Sequence, residues 1–412
     1  MKLALFTPIP PERSGIADYS ALLLPELERR SELTVVRRGS KRPPRGSDLA
    51  VYHVGNNPEV HGWIVEALRR TPGAVVLHDF VLHHLVSGIT LARGDSRGYL
   101  DALERDGGLA ARLLGYAVME KRIPPLWENR AVDLPLTAAV LDYARGVVVH
   151  SRYVAERVRA TGFAGPVFVV PHPAWPVPDG AAADVTGDPL IAAFGNLNES
   201  KRVPQLLEAF ARLRAMRPAA RLLLVGAESP NFDVGRYLQR LGLDGSGVEV
   251  TGYVDEARLW ALMAAADVHV NLRSPTMGET SGTAIRALSL GKPLVVSNLG
   301  WFAELPDDVA LKVAVDDSEL ETLTAALELL ATRPDVRESM GANARRLATT
   351  EHEVSAVAEA QVAAFEKIAG GEAVSDAVLA EVSRAAAEVG IEPRSEDAAE
   401  LARRLSEVDL GA

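Results

Sequence analysis

Three loops in this 412-residue chain gather the residue types that handle anions and hydroxyl groups. The densest is Arg273-Ser-Pro-Thr-Met-Gly-Glu-Thr-Ser-Gly-Thr283, with an arginine, one carboxylate, five hydroxyls and two glycines in eleven residues. Backbone N–H groups along Thr280, Ser281, Gly282 and Thr283 can face a phosphate. Glu279 can hold sugar hydroxyls, because hydrogen bonds to a charged acceptor are the stronger kind. A bare turn has little use for so many polar groups.

The second loop is Phe194-Gly-Asn-Leu-Asn-Glu-Ser-Lys-Arg-Val203, a strand, a glycine and then a helix. Lys201 and Arg202 stand at the N-terminus of that helix, where the dipole disfavours cations. A bound anion would account for them; a solvated charge pair is the alternative. No G-x-x-x-x-G-K-[ST] occurs, so this is not a P-loop. In the third loop, Thr7 to Ser20, Gly15 opens a helix whose backbone N–H groups can meet an anion. It lacks the three glycines of a dinucleotide fingerprint, and a plain turn is the competing reading.

Histidines add a fourth group. His78 and His150 end strands, followed by Asp79 and Ser151, and strand ends are where α/β sheets present ligand-binding residues. After the third strand come Asn56 and His61, candidates for hydroxyl binding. Asn57 and Pro58 are explained by capping of the next helix. His83 and His84 are adjacent on a helix and point apart, and no H-E-x-x-H occurs, so no metal site is expected.

These loops need rigid elements behind them. Nearly uninterrupted apolar runs recur at Leu3–Phe6, Leu33–Val36, Leu49–Val54, Ala74–Leu77, Val147–Val149 and Val167–Val170, the texture of strands buried on both faces. A second series follows at Leu190–Phe194, Leu222–Val225, Val248–Thr251, Val268–Leu272 and Pro293–Ser297. Helical patterns lie between them, with late helices around Ser318–Thr332 and Ser339–Ile368. The expected fold is α/β, two Rossmann-like doubly wound domains facing a cleft, with a C-terminal helical extension. The boundaries read as 1–175, a linker at 176–189 in a proline-rich stretch, 190–350, a returning helix at 351–370 and a helical tail at 371–412. The tail has no chemistry of its own and offers a surface for homo-oligomer formation. One of its helices would carry Val378, Leu379, Val382, Ala386 and Val389, another Ala398, Leu401, Leu405 and Val408.

Composition narrows the function further. The net charge of −11 argues against a nucleic-acid binder acting through a general positive field. With no cysteine there are no disulfides, zinc–thiolate sites or thiol nucleophiles. The N-terminal apolar run is too short for a signal peptide, and no stretch reaches the roughly 20 apolar residues of a membrane helix. A cytoplasmic protein is expected.

Taken together, these motifs resemble the retaining nucleotide-sugar glycosyltransferases of the GT-B fold, family 4, over roughly residues 1–368. Gly195-x5-Lys201-Arg202 resembles the diphosphate-binding turn of that family. Thr251-Gly-Tyr-Val-Asp255 with Ala265-Ala-Asp-Val268 resembles its nucleobase segment, and Met277 to Pro293 its E-x7-E loop and helix, followed by Gly300-x3-Glu304. Ser14-Gly15-Ile16 resembles the loop over the donor phosphates, and His78 the histidine near the sugar. Asn196 stands where many members have an arginine. Ala287, or Arg286 if the helix end is aligned, stands where the second glutamate holds the ribose; Glu304 is the substitute candidate.

The resemblance implies transfer of a hexosyl group from a UDP- or GDP-sugar to an acceptor hydroxyl on a glycan, lipid or small aglycone, with no cofactor and no metal. Donor contacts would come from Gly15, Asn196, Lys201, Arg202, Tyr253, Val254, Glu279, Thr280, Ser281, Gly282, Thr283 and Glu304. Catalysis would rest on His78, Glu279, Lys201 and Arg202, and the acceptor on Asn56, His61, Asp79 and His150. Two other readings keep the same loops: a non-catalytic nucleotide-sugar-binding protein, and a sugar-nucleotide epimerase.

Overall fold

A computed structural model describes all residues except Arg13, Ala181, Ser246, Arg394 and residues 371–378, 380–381 and 407–412. The chain divides into two units, Met1–Pro171 with Val357–Ala412, and His172–Ala356.

In the first unit the strands are β1 (Lys2–Phe6), β2 (Glu32–Val36), β3 (Leu49–Val54), β4 (Gly73–Leu77), β5 (Ala144–Val149) and β6 (Val167–Val169). They form one parallel sheet in the order β2-β1-β3-β4-β5-β6. Every residue of β3 and β4 is buried, which is why these strands read as continuous apolar runs. The chain builds outward from β1 to β2 and then crosses to β3, so the switch point lies between β1 and β3. Helices Gly15–Arg30 and Pro58–Leu68 follow those two strands.

In the second unit the strands are β7 (Leu190–Phe194), β8 (Arg221–Val225), β9 (Val248–Gly252), β10 (Val268–Asn271), β11 (Leu294–Ser297) and β12 (Ala310–Val313), again all parallel. The order β12-β11-β10-β7-β8-β9 puts the switch point between β7 and β10. Two apolar clusters cover the sheet, one under helices Val203–Met216 and Glu319–Thr332, the other under Gly282–Leu290 and Pro334–Thr350. Two such sheets with flanking helices are the fold class expected from the sequence.

Three local features depart from the expectations. Strand β12 is short, sits at the sheet edge and carries Lys312, so its apolar signal is weak. The late helical pattern is two helices, Pro334–Thr350 and Val354–Gly370. They separate at His352, which is buried with its Nδ1 2.6 Å from the His172 carbonyl, while its own carbonyl accepts from the Ala174 N–H. Between β4 and β5 the chain forms His83–Ile89 and Ser96–Met119, the latter broken at Gly107 and Gly108. Gly108 turns with φ +66°, a conformation that glycine adopts at little steric cost.

Helix Val354–Gly370 completes the first unit. Its Gln361 Nε2 donates to the Tyr19 hydroxyl, and Ile368 is fully buried against Gly146. Arg145 donates to the carbonyls of Ile368 and Ala369. In the tail, residues 382–388 and Glu396–Ser406 are helical. Val382, Ala386, Ala398, Leu401 and Leu405 are half-buried there and Val389 is exposed, while Val378 and Val408 lie outside the described residues. No helix among the described residues is long and apolar enough to cross a membrane.

Candidate functional site

Ligands of open α/β sheets bind at the carboxyl ends of the strands beside the switch point. In the second unit that point brings together the turn after β7 and the loop after β10. Phe194 ends β7, and Gly195 turns the chain with φ +96°. The positive φ favours glycine here, and the Lys201 Nζ lies over the position a Cβ would take, at 2.2 Å. The Asn198 Oδ1 accepts from the Lys201 N–H at 3.0 Å and from the Ser200 Oγ at 2.8 Å, which closes Glu199–Lys201 into a single 3-10 turn. Lys201 reaches back and donates to the Phe194 carbonyl at 2.6 Å. A small cavity lined by Phe194, Lys201, Asn271 and Leu272 opens here.

Loop 273–283 meets this turn. Ser274 N–H donates to the Ser200 carbonyl at 2.8 Å, and Arg273 N–H to the Ser297 Oγ at 2.8 Å. Buried Asn271 donates to the Ser281 Oγ at 2.9 Å and the Thr283 Oγ1 at 2.8 Å. The Ser281 Oγ also accepts from the Ala284 N–H, capping helix Gly282–Leu290. The helix N-terminus is thereby anchored to β10, and its amides make it a ready anion site.

Glu279 lies inside the loop. One carboxylate oxygen accepts from the Met277 N–H at 2.8 Å and the Thr276 hydroxyl at 3.1 Å; the other stands 2.7 Å from the Arg273 Nε. The carboxylate therefore shapes the loop, and with two oxygens and about four lone-pair sites it retains acceptor capacity. Burial of its ammonium group and the neighbouring Arg273 guanidinium pull the Lys201 pKa down to about 7, while Glu279 pulls it up. Lys201, only partly charged near neutral pH, and Arg273 face one carboxylate, so an anion placed beside them would favour the charged lysine.

Arg202 does not share that corner as an uncompensated cation. Its Nε donates to the Glu319 carboxylate at 2.8 Å and its Nη2 to the second oxygen, and Glu319 is 4 % exposed. Its backbone is left-handed, φ +55°, where the chain passes from the 3-10 turn into helix Val203–Met216. That conformation costs a residue with a Cβ about 1–2 kcal/mol relative to glycine.

The remaining donor candidates spread along the same sheet. Asn196 is exposed, Tyr253 is 75 % exposed and Val254 half-buried after β9, and Glu304 ends the turn Gly300–Glu304 after β11. Ala287 is fully buried and faces the core. Arg286 is 7 % exposed, with its guanidinium 3.9 Å from the ring centre of Trp175 and 3.5 Å from Glu256. No carboxylate stands at either position.

In the first unit, Ser14 caps helix Gly15–Arg30, and a Cβ on Gly15 would meet no atom within 4 Å. His78 and His150 follow β4 and β5 with ring centres 5.1 Å apart; Tyr19 lies 4.6 Å from His78 and His53 5.2 Å from it. The His150 Nδ1 is 2.9 Å from the Val170 carbonyl, an acceptor that places a proton on Nδ1. Burial pulls the His53 pKa down to about 3 and the His61 pKa to about 4. Asn56 and His61, expected as hydroxyl binders, are committed within the chain. Asn56 receives the Leu85 N–H and donates its own N–H to Asp79 at 2.8 Å; the His61 Nδ1 lies 3.1 Å from the His53 carbonyl. His83 is buried against Tyr99 and Leu134 while His84 is exposed, so they point apart as expected. Among the described residues no group of three or more His, Asp or Glu is placed to hold a metal ion.

Several functional-site residues carry little signal in the sequence. His53 is the one histidine in β3, an available clue. Tyr19 and Gln361 in the first unit, and Asn271 and Glu319 in the second, sit on ordinary helix or strand positions, and only the fold of each unit brings them beside the candidate residues.

Residues 181–347 match the profile of the family described as Glycosyl transferases group 1. No curated protein matches significantly. Sucrose-phosphate synthase from Thermosynechococcus elongatus is similar in structure, with a TM-score of 0.61, 17% identity, and 89% of this chain and 99% of that one covered. So is HepE of Anabaena, solved in complex with UDP and glucose, at TM-score 0.59 and 14% identity, covering 89% and 100%. WaaG, a glycosyltransferase involved in lipopolysaccharide biosynthesis, aligns at TM-score 0.53 and 16% identity, covering 90% and 100%. At these identities the likeness establishes the GT-B fold.

Proposed function

We propose that the chain is a retaining family 4 glycosyltransferase that moves a hexosyl group from a UDP- or GDP-sugar to an acceptor hydroxyl, in the cytoplasm and without a metal ion. The observation that carries this reading is the pairing of Lys201 and Arg273 against one carboxylate, Glu279, at the carboxyl ends of β7 and β10. A diphosphate placed there favours the charged lysine, and as it departs its growing charge is met by groups already in place. The bond from the anomeric carbon to the phosphate oxygen breaks as the acceptor oxygen bonds to that carbon. The acceptor proton passes to the leaving phosphate.

Lys201 and the N-terminal amides of helix Gly282–Leu290 stabilise the diphosphate. Tyr253, Val254 and Glu304 take the nucleoside, and Glu279 orients the sugar without attacking it. We assign His78 to the transferred sugar and Asp79 and His150 to the acceptor; Asn56 and His61 shape the loops behind them.

Incubation with UDP-glucose, UDP-N-acetylglucosamine and GDP-mannose, each with and without a panel of glycan, lipid and aglycone acceptors, tests this reading. Release of UDP or GDP that requires an acceptor, with the donor's anomeric configuration kept in the product, is expected. Release without an acceptor would replace it with an epimerase or hydrolase. Binding without any release would make the chain a nucleotide-sugar-binding protein.

A further inference from the structure

Arg202 is one of three non-glycine residues among the described chain with positive φ, beside Lys121 and Leu136, and it adjoins Lys201. A left-handed residue at this point lets the chain leave the Glu199–Lys201 turn and enter helix Val203–Met216. Glycine would do this at little steric cost, whereas arginine needs its side chain held. The holding group is Glu319, the first residue of helix Glu319–Thr332, which packs beside Val203–Met216 through Leu206, Phe210, Leu323 and Leu327. A buried carboxylate gripping both the Nε and a terminal nitrogen fixes the guanidinium in plane and direction. It also offsets the unfavourable placement of a cation at the start of a helix.

We infer that Glu319 is a positioning residue for the diphosphate turn: through Arg202 it holds the left-handed step that aims Lys201 across Gly195, and neither Glu319 nor Arg202 touches the nucleotide. The inference rests on the proposed donor site. Its distinctive consequence is that Glu319 matters only while residue 202 carries a side chain that must be held.

Calorimetric titration of the intact chain with UDP, GDP and inorganic pyrophosphate tests this, comparing wild type, E319Q, R202G and the double variant R202G/E319Q. E319Q is expected to weaken binding about tenfold or more, a loss of about 1.4 kcal/mol. The double variant is expected to return to within about threefold of wild type, because glycine takes the left-handed step unaided. A double variant as weak as E319Q would overturn the inference, and so would unchanged binding in E319Q. If E319Q does not fold, the double variant, which leaves no buried charge unpaired, decides the matter alone. A wild-type chain that binds none of the three probes would sink the donor-site reading itself, which separates that failure from a failed rescue.

Discussion

Ser274 donates its backbone N–H to the carbonyl of Ser200 at 2.8 Å, so the loop after β10 is tied to the turn after β7 across the switch point of the second sheet. Seventy-four positions apart in sequence, the two segments become one surface, with Lys201 on one side and Arg273 and Glu279 on the other. A shift of either loop would change the charge balance that the site depends on.

Lys201→Met keeps the length of the side chain and removes its charge. Because burial already disfavours the charged lysine, the variant is expected to melt at or above the wild-type temperature while losing about 100-fold or more in nucleoside diphosphate affinity. Parallel melting curves and titrations check both halves. A variant that melts much lower would assign Lys201 a structural role instead.

The same lysine gives a pH dependence with a definite sign. Its pKa in the free protein is about 7, and a bound diphosphate favours the charged form, so binding takes up a proton above that pH. Affinity is therefore expected to hold below pH 7 and fall above it, approaching about tenfold per pH unit. Titrations from pH 6 to 9 would show the fall, and Lys201→Arg, charged throughout, should flatten it.

Glu279→Gln retains an oxygen for the Met277 N–H but loses the charge facing Arg273. Turnover is expected to fall about 100-fold, while the nucleoside diphosphate dissociation constant stays within about threefold, since the lost interaction is with the sugar in the reacting complex. Steady-state rates beside product titrations separate the two effects. Full activity in this variant would remove Glu279 from the mechanism.

Ending the chain after Glu353 removes Gln361, Phe365 and Ile368, all buried in the first unit, and is expected to leave that unit unable to fold. Ending it after Gly370 keeps them and should preserve the melting temperature within about 2 °C, because the described residues beyond it are exposed or half-buried, and changes at such positions are commonly worth less than about 0.5 kcal/mol. Circular dichroism melts of the two truncations decide this.

The sheets were legible in the sequence because parallel strands buried on both faces leave runs such as Leu49–Val54, and the loops beside them could be read from Gly195 and from the polar density of Arg273–Thr283. Edge strand β12, with Lys312 in four residues, lacks such a run. The partners of the loop charges were not legible. Lys201 and Arg202 look alike as neighbours, yet one turns back over Gly195 and the other meets Glu319, a residue 117 positions away. The histidines divide in the same way: His78 and His150 stand at strand ends, while His61 faces inward to the His53 carbonyl because its helix packs that side against the sheet. Periodicity shows that a face is buried; it does not show which polar group waits on the other side.

The most direct test of the donor site is a thermal-shift panel of UDP, GDP, ADP and dTDP on wild type and Lys201→Met. A ligand at 100 times its dissociation constant adds about 2.7 kcal/mol, or roughly 5–10 °C for a unit of this size. Such a rise is expected for UDP or GDP with the wild-type chain and none with Lys201→Met. A wild-type chain whose melting is unmoved by all four nucleotides would contradict it.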